Sequence, residues 1–278
     1  MSLALIAGQG ALPARLIAAC GAAGRPVTVC GVRGYDGDLP VNDKPFRLET
    51  IGTLIADLKT EGVREVCFCG AVQRPEIDPA AVDAATRPIL ERLAGALTAA
   101  GDDAALRILL SVFEEAGFLV QGAHEIAPDL LPREGVPSRR KPSDAHGADA
   151  GRGVQVVAAM AAADLGQACV IRARQVIALE ALPGTDWMLR SLVDVPTGLT
   201  GPFASGGILY KAPKPGQDRR VDLPAIGPET IKAASAVGLE GVVIEADGVM
   251  VLDLPATIAA ADAEGLFLWV RRAAPREE

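Results

Sequence analysis

The stretch LALIAGQG, from Leu3 to Gly10, decides the fold that the sequence predicts for the N-terminal half. It is a short apolar run that ends in Gly8-Gln9-Gly10, and residues 12–23 then carry apolar side chains at helical spacing. This order predicts a strand, a glycine turn and a helix. A second apolar run with β-branched residues, at 27–32, predicts another strand.

Strands and helices continue to alternate along the N-terminal half. The pattern predicts helices over 51–61, 89–99 and 103–116, and strands over 66–69 and 118–121. Strands that alternate with helices form a parallel sheet with right-handed crossovers, and ligands bind beyond the carboxyl ends of its strands. Two segments lie at such ends, Gly8 to Gly10 and Gly70 to Pro75.

The C-terminal half has a different pattern. Residues 132–153 are rich in Pro, Gly, Ser and charge, which predicts a linker or mobile loop. Helical spacing resumes over 151–163, and the remainder predicts a mixed α+β domain. Its predicted strands are 168–172, 176–179, 207–212, 242–245, 249–252 and 266–270, and its predicted helices are 227–237 and 255–264. We therefore predict an N-terminal domain at 1–131, a linker at 132–153 and a C-terminal domain at 154–278.

Composition excludes several classes of protein. The chain has 278 residues and a formal net charge of −8, which disfavours a nucleic-acid partner. No run of about 18 uncharged apolar residues occurs, and the N-terminus lacks the features of a secretory signal. The five cysteines are odd in number and form no C-x-x-C pair, which argues against disulfides and a zinc ribbon. A cytoplasmic location is expected.

Two segments at predicted strand ends are candidate binding turns. Glycines at positions 8 and 10 would let backbone amides approach a phosphate. The third glycine and the ribose-binding acid of a dinucleotide fingerprint are missing, so an NAD(P) site is poorly supported. Gln73 and Arg74 follow the strand at 66–69, and an arginine fork suits phosphate. The alternatives are a tight structural turn and a surface arginine on a loop.

The richest region for chemistry lies between residues 164 and 245. Carboxylates at predicted strand ends or in loops alternate there with cations, and these are Glu180, Asp186, Asp218 and Asp222 with Arg190, Lys211 and Lys214. Hard oxygen ligands beside cations suit a Mg²⁺-bridged pyrophosphate, whereas a set of solvated surface ion pairs remains the alternative. No G-x-S-x-G motif is present and the cysteines lie in apolar runs, so water is the expected nucleophile.

Four segments together resemble one bacterial family over nearly the whole chain: LALIAGQGALP, VCFCGAVQRPEI, ADLGQACVIRARQVIALEALPGTD and GGILYKAPKPGQDRRVDLPAIGPETI. The family is that of the metal-dependent UDP-2,3-diacylglucosamine pyrophosphatases of lipid A biosynthesis. The resemblance implies a Rossmann-like N-terminal domain, a C-terminal domain of distinctive α/β fold and a lipid-nucleotide bound between them. It also implies Mg²⁺-dependent hydrolysis, with Mn²⁺ as the alternative metal. The expected products are UMP and 2,3-diacylglucosamine 1-phosphate (lipid X), formed by attack of water on the sugar-side phosphorus.

The family's motifs match this sequence at three places. Its D-x-G-Q step matches Asp164, Gly166 and Gln167, and its E-A-x-x-G-T-D step matches the segment from Glu180 to Asp186. Its third step matches Lys211, Gln217, Asp218, Asp222, Pro224 and Gly227. Two positions depart from the pattern. Pro183 stands where many relatives carry Glu, and Ala225 lies inside the acidic loop, where an acid in relatives would make this chain an inactivated variant.

We therefore predict that Asp186, Asp218 and Asp222 are catalytic and bind or orient the metal, and that Lys211, also catalytic, stabilises charge on the pyrophosphate. The predicted substrate-binding residues are Gly8, Gln9, Gly10, Gln73, Arg74, Gln167, Gly184, Thr185 and Arg190. The alternatives are a non-catalytic binding protein for the acylated sugar nucleotide, an inactivated variant and an NAD(P)-dependent oxidoreductase. Peripheral contact with the inner membrane through Arg139, Arg140 and Lys141 is expected. A homodimer is the default expectation.

Overall fold

The chain folds into two α/β units. The computed structural model describes residues 2–72, 76–193, 201 and 204–272, with the backbone alone at 96–104. Unit 1 comprises residues 1–128 together with the short segment Asp218–Asp222, and unit 2 comprises 129–217 and 223–278. The predicted domains at 1–131 and 154–278 differ from these units at two places. Five residues of the C-terminal half belong to unit 1, and unit 2 already begins at Asp129.

Unit 1 contains a parallel sheet flanked by helices, as the sequence predicts. Its strands have the order β2-β1-β3-β4, and each neighbouring pair is parallel. The elements are β1 (Leu3–Ala7), α1 (Ala11–Ala22), β2 (Val27–Gly31), α2 (Ile51–Thr60), β3 (Glu65–Cys69), α3 (Arg87–Glu115), β4 (Leu119–Val120) and α4 (Ala123–Ile126). All five residues of β1 are buried because this strand lies in the interior of the sheet.

Unit 2 is built on a mixed five-stranded sheet with the order β11-β9-β7-β5-β6, in which β5 is antiparallel to both of its neighbours. A separate two-stranded parallel sheet pairs β8 with β10. The strands are β5 (Ala168–Arg172), β6 (Gln175–Leu179), β7 (Ile208–Lys211), β8 (Ala225–Ile226), β9 (Gly241–Glu245), β10 (Met250–Val251) and β11 (Phe267–Arg271). The helices are α5 (Asp144–Ala162), α6 (Thr185–Ser191), α7 (Pro228–Ala236) and α8 (Leu254–Glu264).

Helix α5 occupies part of the segment that was predicted to be a linker or mobile loop. Its glycines and charged residues produced that prediction, yet one of the glycines has a packing role. A side chain at Gly153 would lie 2.5 Å from the Tyr210 ring, so the absence of a Cβ lets α5 pack closely on β7. The glycine content of this segment therefore reflects close helix–sheet packing.

The segment before α5 is bound to the edge strand β11 and to α8. Gly135 pairs with Val270, and the Ser138 hydroxyl accepts a hydrogen bond of 2.8 Å from the Leu268 amide. The basic residues expected at a membrane surface make internal contacts here. The Arg140 guanidinium bonds to Glu240 and to the Gly265 carbonyl, and the Lys141 ammonium donates to the carbonyls of Val136 and Ser138. The Arg139 backbone amide donates to Asp262.

No helix among the described residues is long and apolar enough to cross a membrane.

The cysteines are all free and buried. Burial raises the pKa of Cys30, Cys67 and Cys169 to about 12, and it also raises the pKa of Cys20 and Cys69. A thiol whose pKa is raised by burial holds its proton at neutral pH and is a poor nucleophile. The cysteines are therefore packing residues.

Candidate functional site

The topology of unit 2 brings chemically important residues to one edge of its main sheet. Strands β6, β7 and β9 run in the same direction, so their carboxyl ends share this edge with the start of β5. Glu180 directly follows β6, Lys211 is the last residue of β7, and Gln167 precedes β5. The backbone pairs Ala168 with Lys211 and joins the Glu180 amide to the Ala168 carbonyl at 2.9 Å. Residues far apart in sequence are thus adjacent here.

A buried chain of hydrogen bonds joins the side chains of Lys211 and Glu180 through Thr185. The Lys211 ammonium donates to the Thr185 hydroxyl over 2.8 Å, and that hydroxyl donates to Glu180 Oε1 over 2.6 Å. Glu180 Oε2 accepts a bond of 2.7 Å from the Gln167 amide, and Lys211 also donates to the Ala225 carbonyl over 3.1 Å. Lys211, Thr185 and Glu180 are only 8–9% exposed. We call these three residues the Lys–Thr–Glu array.

Two glycines allow the array to form. Gly184 has φ +86° and precedes the first residue of α6, which is Thr185. Gly166 lies against Glu180, and a Cβ there would come within 2.4 Å of Glu180 Cγ. Glycine accepts a positive φ without the steric cost that an L side chain meets, and it leaves room for close contact. The G-Q and G-T steps of the sequence therefore serve to seat Glu180 and Thr185.

The array gives the site a fixed cation whose charge is balanced through a hydroxyl by a carboxylate. A buried ammonium is stable only when it is hydrogen-bonded and its charge is compensated; Lys211 donates to Thr185 and to the Ala225 carbonyl, and the Glu180 carboxylate follows one hydroxyl further on. Ala225, at the departure from the family pattern, contributes its backbone carbonyl to Lys211. Any residue at this position carries that carbonyl, so the Lys211 contact does not depend on the side chain at 225.

Exchanging Thr185 for Val tests the array directly. The variant leaves Glu180 Oε1 and the Lys211 ammonium each without one buried partner, so we expect the free energy of unfolding in urea to fall by about 2–4 kcal/mol. Thr185→Ser retains the hydroxyl and should lose less than about 1 kcal/mol. Equal urea midpoints for the Val and Ser variants would show that the hydroxyl does not hold the array.

Other predicted residues of unit 2 lie around the array. Gln167 supplies its backbone amide to Glu180, and Gly184 precedes α6. Asp186 and Arg190 are exposed on α6. Lys214 forms an ion pair of 2.7 Å with Asp164. Along the chain, Asp186 directly follows Thr185, and Asp164 and Lys214 lie three residues from Gln167 and Lys211, respectively.

Asp218 and Asp222 belong to the short segment assigned to unit 1. The Arg220 guanidinium donates from Nε to one Asp218 oxygen over 3.0 Å and from Nη2 to the other over 2.7 Å. The same arginine bonds to Glu114 on α3 over 2.6 Å, and Val221 packs against the core of unit 1. The Arg220 contact lowers the pKa of Asp218. Asp218 thus anchors the segment, and the partly exposed Asp222 follows at its end.

The metal prediction requires a set of carboxylate ligands. In neither unit do the described residues include a group of three or more His, Cys, Asp or Glu side chains arranged to hold a metal ion. Both oxygens of Asp218 accept hydrogen bonds from Arg220, so its carboxylate does not fit a direct metal ligand in this conformation. Asp186 and Asp222 offer oxygen ligands of the type that Mg²⁺ binds.

The glycine turn of unit 1 has a backbone role that the sequence left open. The amides of Gly8 and Gln9 donate to the carbonyls of Cys69 and Ala71, each over 2.9 Å. They therefore join the end of β1 to the end of β3. Gly10 has φ +97° and precedes α1. Gln73 and Arg74, predicted to bind the substrate, lie outside the described residues.

The fold and the array define a class: a two-unit α/β protein that fixes a buried cation at the carboxyl ends of its strands. Residues 2–130 match the family described as the LpxI N-terminal domain, and residues 133–269 match the LpxI C-terminal domain. The chain is 40% identical over 270 residues to the UDP-2,3-diacylglucosamine pyrophosphatase LpxI of Caulobacter vibrioides, with 96% of both chains covered. The chain belongs to the LpxI family.

Proposed function

We propose that this protein hydrolyses the pyrophosphate bond of UDP-2,3-diacylglucosamine to UMP and 2,3-diacylglucosamine 1-phosphate in lipid A biosynthesis. The observation that carries the proposal is the 40% identity to the Caulobacter pyrophosphatase over 96% of both chains. Because the match covers both units, it relates this chain to the whole of that enzyme. The buried Lys–Thr–Glu array supports the proposal, since hydrolysis of a pyrophosphate needs a cation that is held in place near phosphate oxygens.

The residues divide the work according to their chemistry. Lys211 is held by Thr185 and the Ala225 carbonyl, so its charge stabilises negative charge without reorganising as the reaction proceeds. Glu180 holds Thr185 and keeps the buried ammonium neutralised. Asp222, a partly exposed carboxylate after an anchored segment, binds metal or orients water. Arg190, which is exposed on α6, would add positive charge that stabilises the pyrophosphate.

Mg²⁺ is part of the proposal, with Mn²⁺ as the alternative. Asp222, in its segment of unit 1, and Asp186, on α6 of unit 2, are each a candidate ligand in their own right, and Asp218 would act by anchoring the segment that carries Asp222. When bound, the metal would neutralise charge on the phosphate oxygens as a Lewis acid. Dialysis against EDTA should therefore abolish UMP release and added Mg²⁺ should restore it. Full activity in EDTA would remove the metal from the mechanism.

The activity is tested by incubating purified protein with UDP-2,3-diacylglucosamine in H₂¹⁸O and analysing the products by mass spectrometry. We expect UMP and 2,3-diacylglucosamine 1-phosphate, with ¹⁸O in the latter because water is proposed to attack the sugar-side phosphorus. Tight binding of the substrate without turnover would instead identify a binding protein or an inactivated variant. Co-purified NAD(P) would favour an oxidoreductase.

Because its substrate is acylated, the protein is proposed to act at the surface of the inner membrane and to bind there peripherally. Sedimentation with vesicles that contain anionic lipid tests this proposal, and absence of the protein from the vesicle pellet would contradict it. Whether the working form is a homodimer is measured by analytical ultracentrifugation of the purified chain.

A further inference from the structure

A cavity of about 520 Å³ lies in unit 1, and its lining residues do not include the glycine turn at Gly8 to Gly10. Helix α2 forms one wall through Thr53, Leu54 and Asp57, which lie on one helix face, together with Thr50, which directly precedes the helix. The facing wall comprises Arg33 and the segment from Lys44 to Arg47. Arg33 comes two residues after the end of β2, so the cavity opens at the carboxyl ends of the parallel strands. This is the edge at which such sheets bind ligands.

The backbone brings two arginines side by side in this wall. Val32 and Phe46 form a parallel bridge, with the Phe46 amide bonded to the Gly31 carbonyl and the Arg33 amide bonded to the Phe46 carbonyl. Continuing that register aligns Arg33 with Arg47. The side chains of Val32 and Phe46 are buried in the core of unit 1. Because side chains alternate between the two faces of an extended chain, Arg33 and Arg47 lie on the face opposite that core. Like charges at aligned positions repel each other.

The cations differ in how their charge is balanced. Lys44 pairs with Glu61, and Arg47 donates from Nε and Nη2 to Glu49, whose pKa this contact lowers to about 2. Arg47 Nη1 lies outside that pair, so the guanidinium retains an edge for a second anion. In the part of the chain that the structure describes, the Arg33 side chain has neither a hydrogen bond nor an ion pair.

A chain with a net charge of −8 thus places three cations and one carboxylate, Asp57, around a single cavity. A bound anion would offset the repulsion between the aligned arginines. The N–H groups of a guanidinium are spaced to donate two hydrogen bonds to the oxygens of one phosphate group. The exposed Pro45 provides apolar surface beside the cations, and the volume is that of a small-molecule site.

We propose that this cavity binds the phosphate group of a nucleotide or of a small sugar phosphate, with Arg33 and Arg47 as the phosphate-binding residues. The phosphate has two candidate sources. One is the nucleotide half of the substrate or its UMP product, and this source rests on the proposed function. The other is a free phosphorylated metabolite.

Calorimetric titration at low salt tests the site with UMP, ribose 5-phosphate and uridine as probes. The variant is Arg33→Gln, because Arg33 is exposed and its loss breaks no internal contact of the described chain. The matched control is Arg64→Gln, an exposed arginine that precedes β3 at the opposite edge of the same sheet. We expect both phosphate-bearing probes to bind the wild type, and Arg33→Gln to weaken the binding of ribose 5-phosphate by about tenfold.

Kinetics then distinguish the sources. A KM for UDP-2,3-diacylglucosamine raised about tenfold in Arg33→Gln, with kcat unchanged, assigns the cavity to the substrate's nucleotide. An unchanged KM together with lost binding of ribose 5-phosphate assigns it to a free ligand. The site is refuted if ribose 5-phosphate binds neither the wild type nor Arg33→Gln, or if it binds both equally. It is also refuted if Arg64→Gln weakens the binding of ribose 5-phosphate as much as Arg33→Gln does. Because titration needs no turnover, an inactive wild type would disprove the proposed function and leave this test intact.

Discussion

Replacing Lys211 with Met is expected to lower kcat/KM for UDP-2,3-diacylglucosamine by about 10²–10³-fold, the usual cost of losing one preorganised charge-stabilising group. Methionine keeps much of the side-chain length and removes the charge. Because the buried Glu180 would then lack its cation, the variant should also lose about 3–5 kcal/mol of unfolding free energy. Steady-state kinetics on protein shown to be folded by circular dichroism measures the first effect, and urea unfolding measures the second.

Two further variants separate the catalytic loss from the structural one. Lys214 lies three residues after Lys211, and Lys214→Met removes the cation of the Asp164 ion pair. Because a surface ion pair contributes little to stability, this variant should keep kcat/KM within about threefold of the wild-type value. The double variant Glu180→Gln with Lys211→Met removes both buried charges and should recover stability without recovering activity. If activity returned together with stability, Lys211 would be a structural residue only.

The sequence predicts most strands well because they are apolar runs bounded by glycine or charge, whereas the two-residue strand Ala225–Ile226 is too short to give such a pattern and was not predicted. Leu3–Ala7 and Ala168–Arg172 have the bounds that the sequence predicts. Helix α3 differs, since the sequence predicts two helices with a break around Gly101, whereas one helix spans Arg87–Glu115. A single interior glycine costs a helix only about 1 kcal/mol, which the rest of a long helix can offset. Glycine and charged residues therefore predict where a strand ends better than they predict whether a helix is interrupted.

The candidate site is predicted less well, because spacing along the chain does not show which charged groups pair. Asp218 was predicted to bind metal, yet Arg220, two residues later, holds both of its carboxylate oxygens. Glu180 stood among the candidate carboxylates, and its bond to Thr185 follows from a turn at Gly184 that lets a residue five positions away reach back. The D-x-R and E-x-x-x-x-T spacings were the available signals, and both are common in unrelated loops.

Replacing Gly8 with Ala should cost about 3 kcal/mol of unfolding free energy in urea, a loss comparable with the one expected for Thr185→Val. A Cβ at this position would lie 2.4 Å from the Ala71 carbonyl oxygen, a contact with backbone that no side-chain rotation relieves. The turn after β3 would have to move, and with it the hydrogen bonds that join Gly8 and Gln9 to Cys69 and Ala71.

Gly10→Ala is the matched control, because it adds the same methyl group two residues later in the same turn. No atom lies within 4 Å of a Cβ at Gly10, so its cost comes only from the backbone conformation, φ +97° with ψ −176°, which essentially only glycine adopts, and is about 1–3 kcal/mol. A larger loss for Gly8→Ala than for Gly10→Ala would assign the first glycine to packing of β1 on the turn after β3. The reverse order would contradict this assignment, since strain at Gly10 would then outweigh the close approach at Gly8.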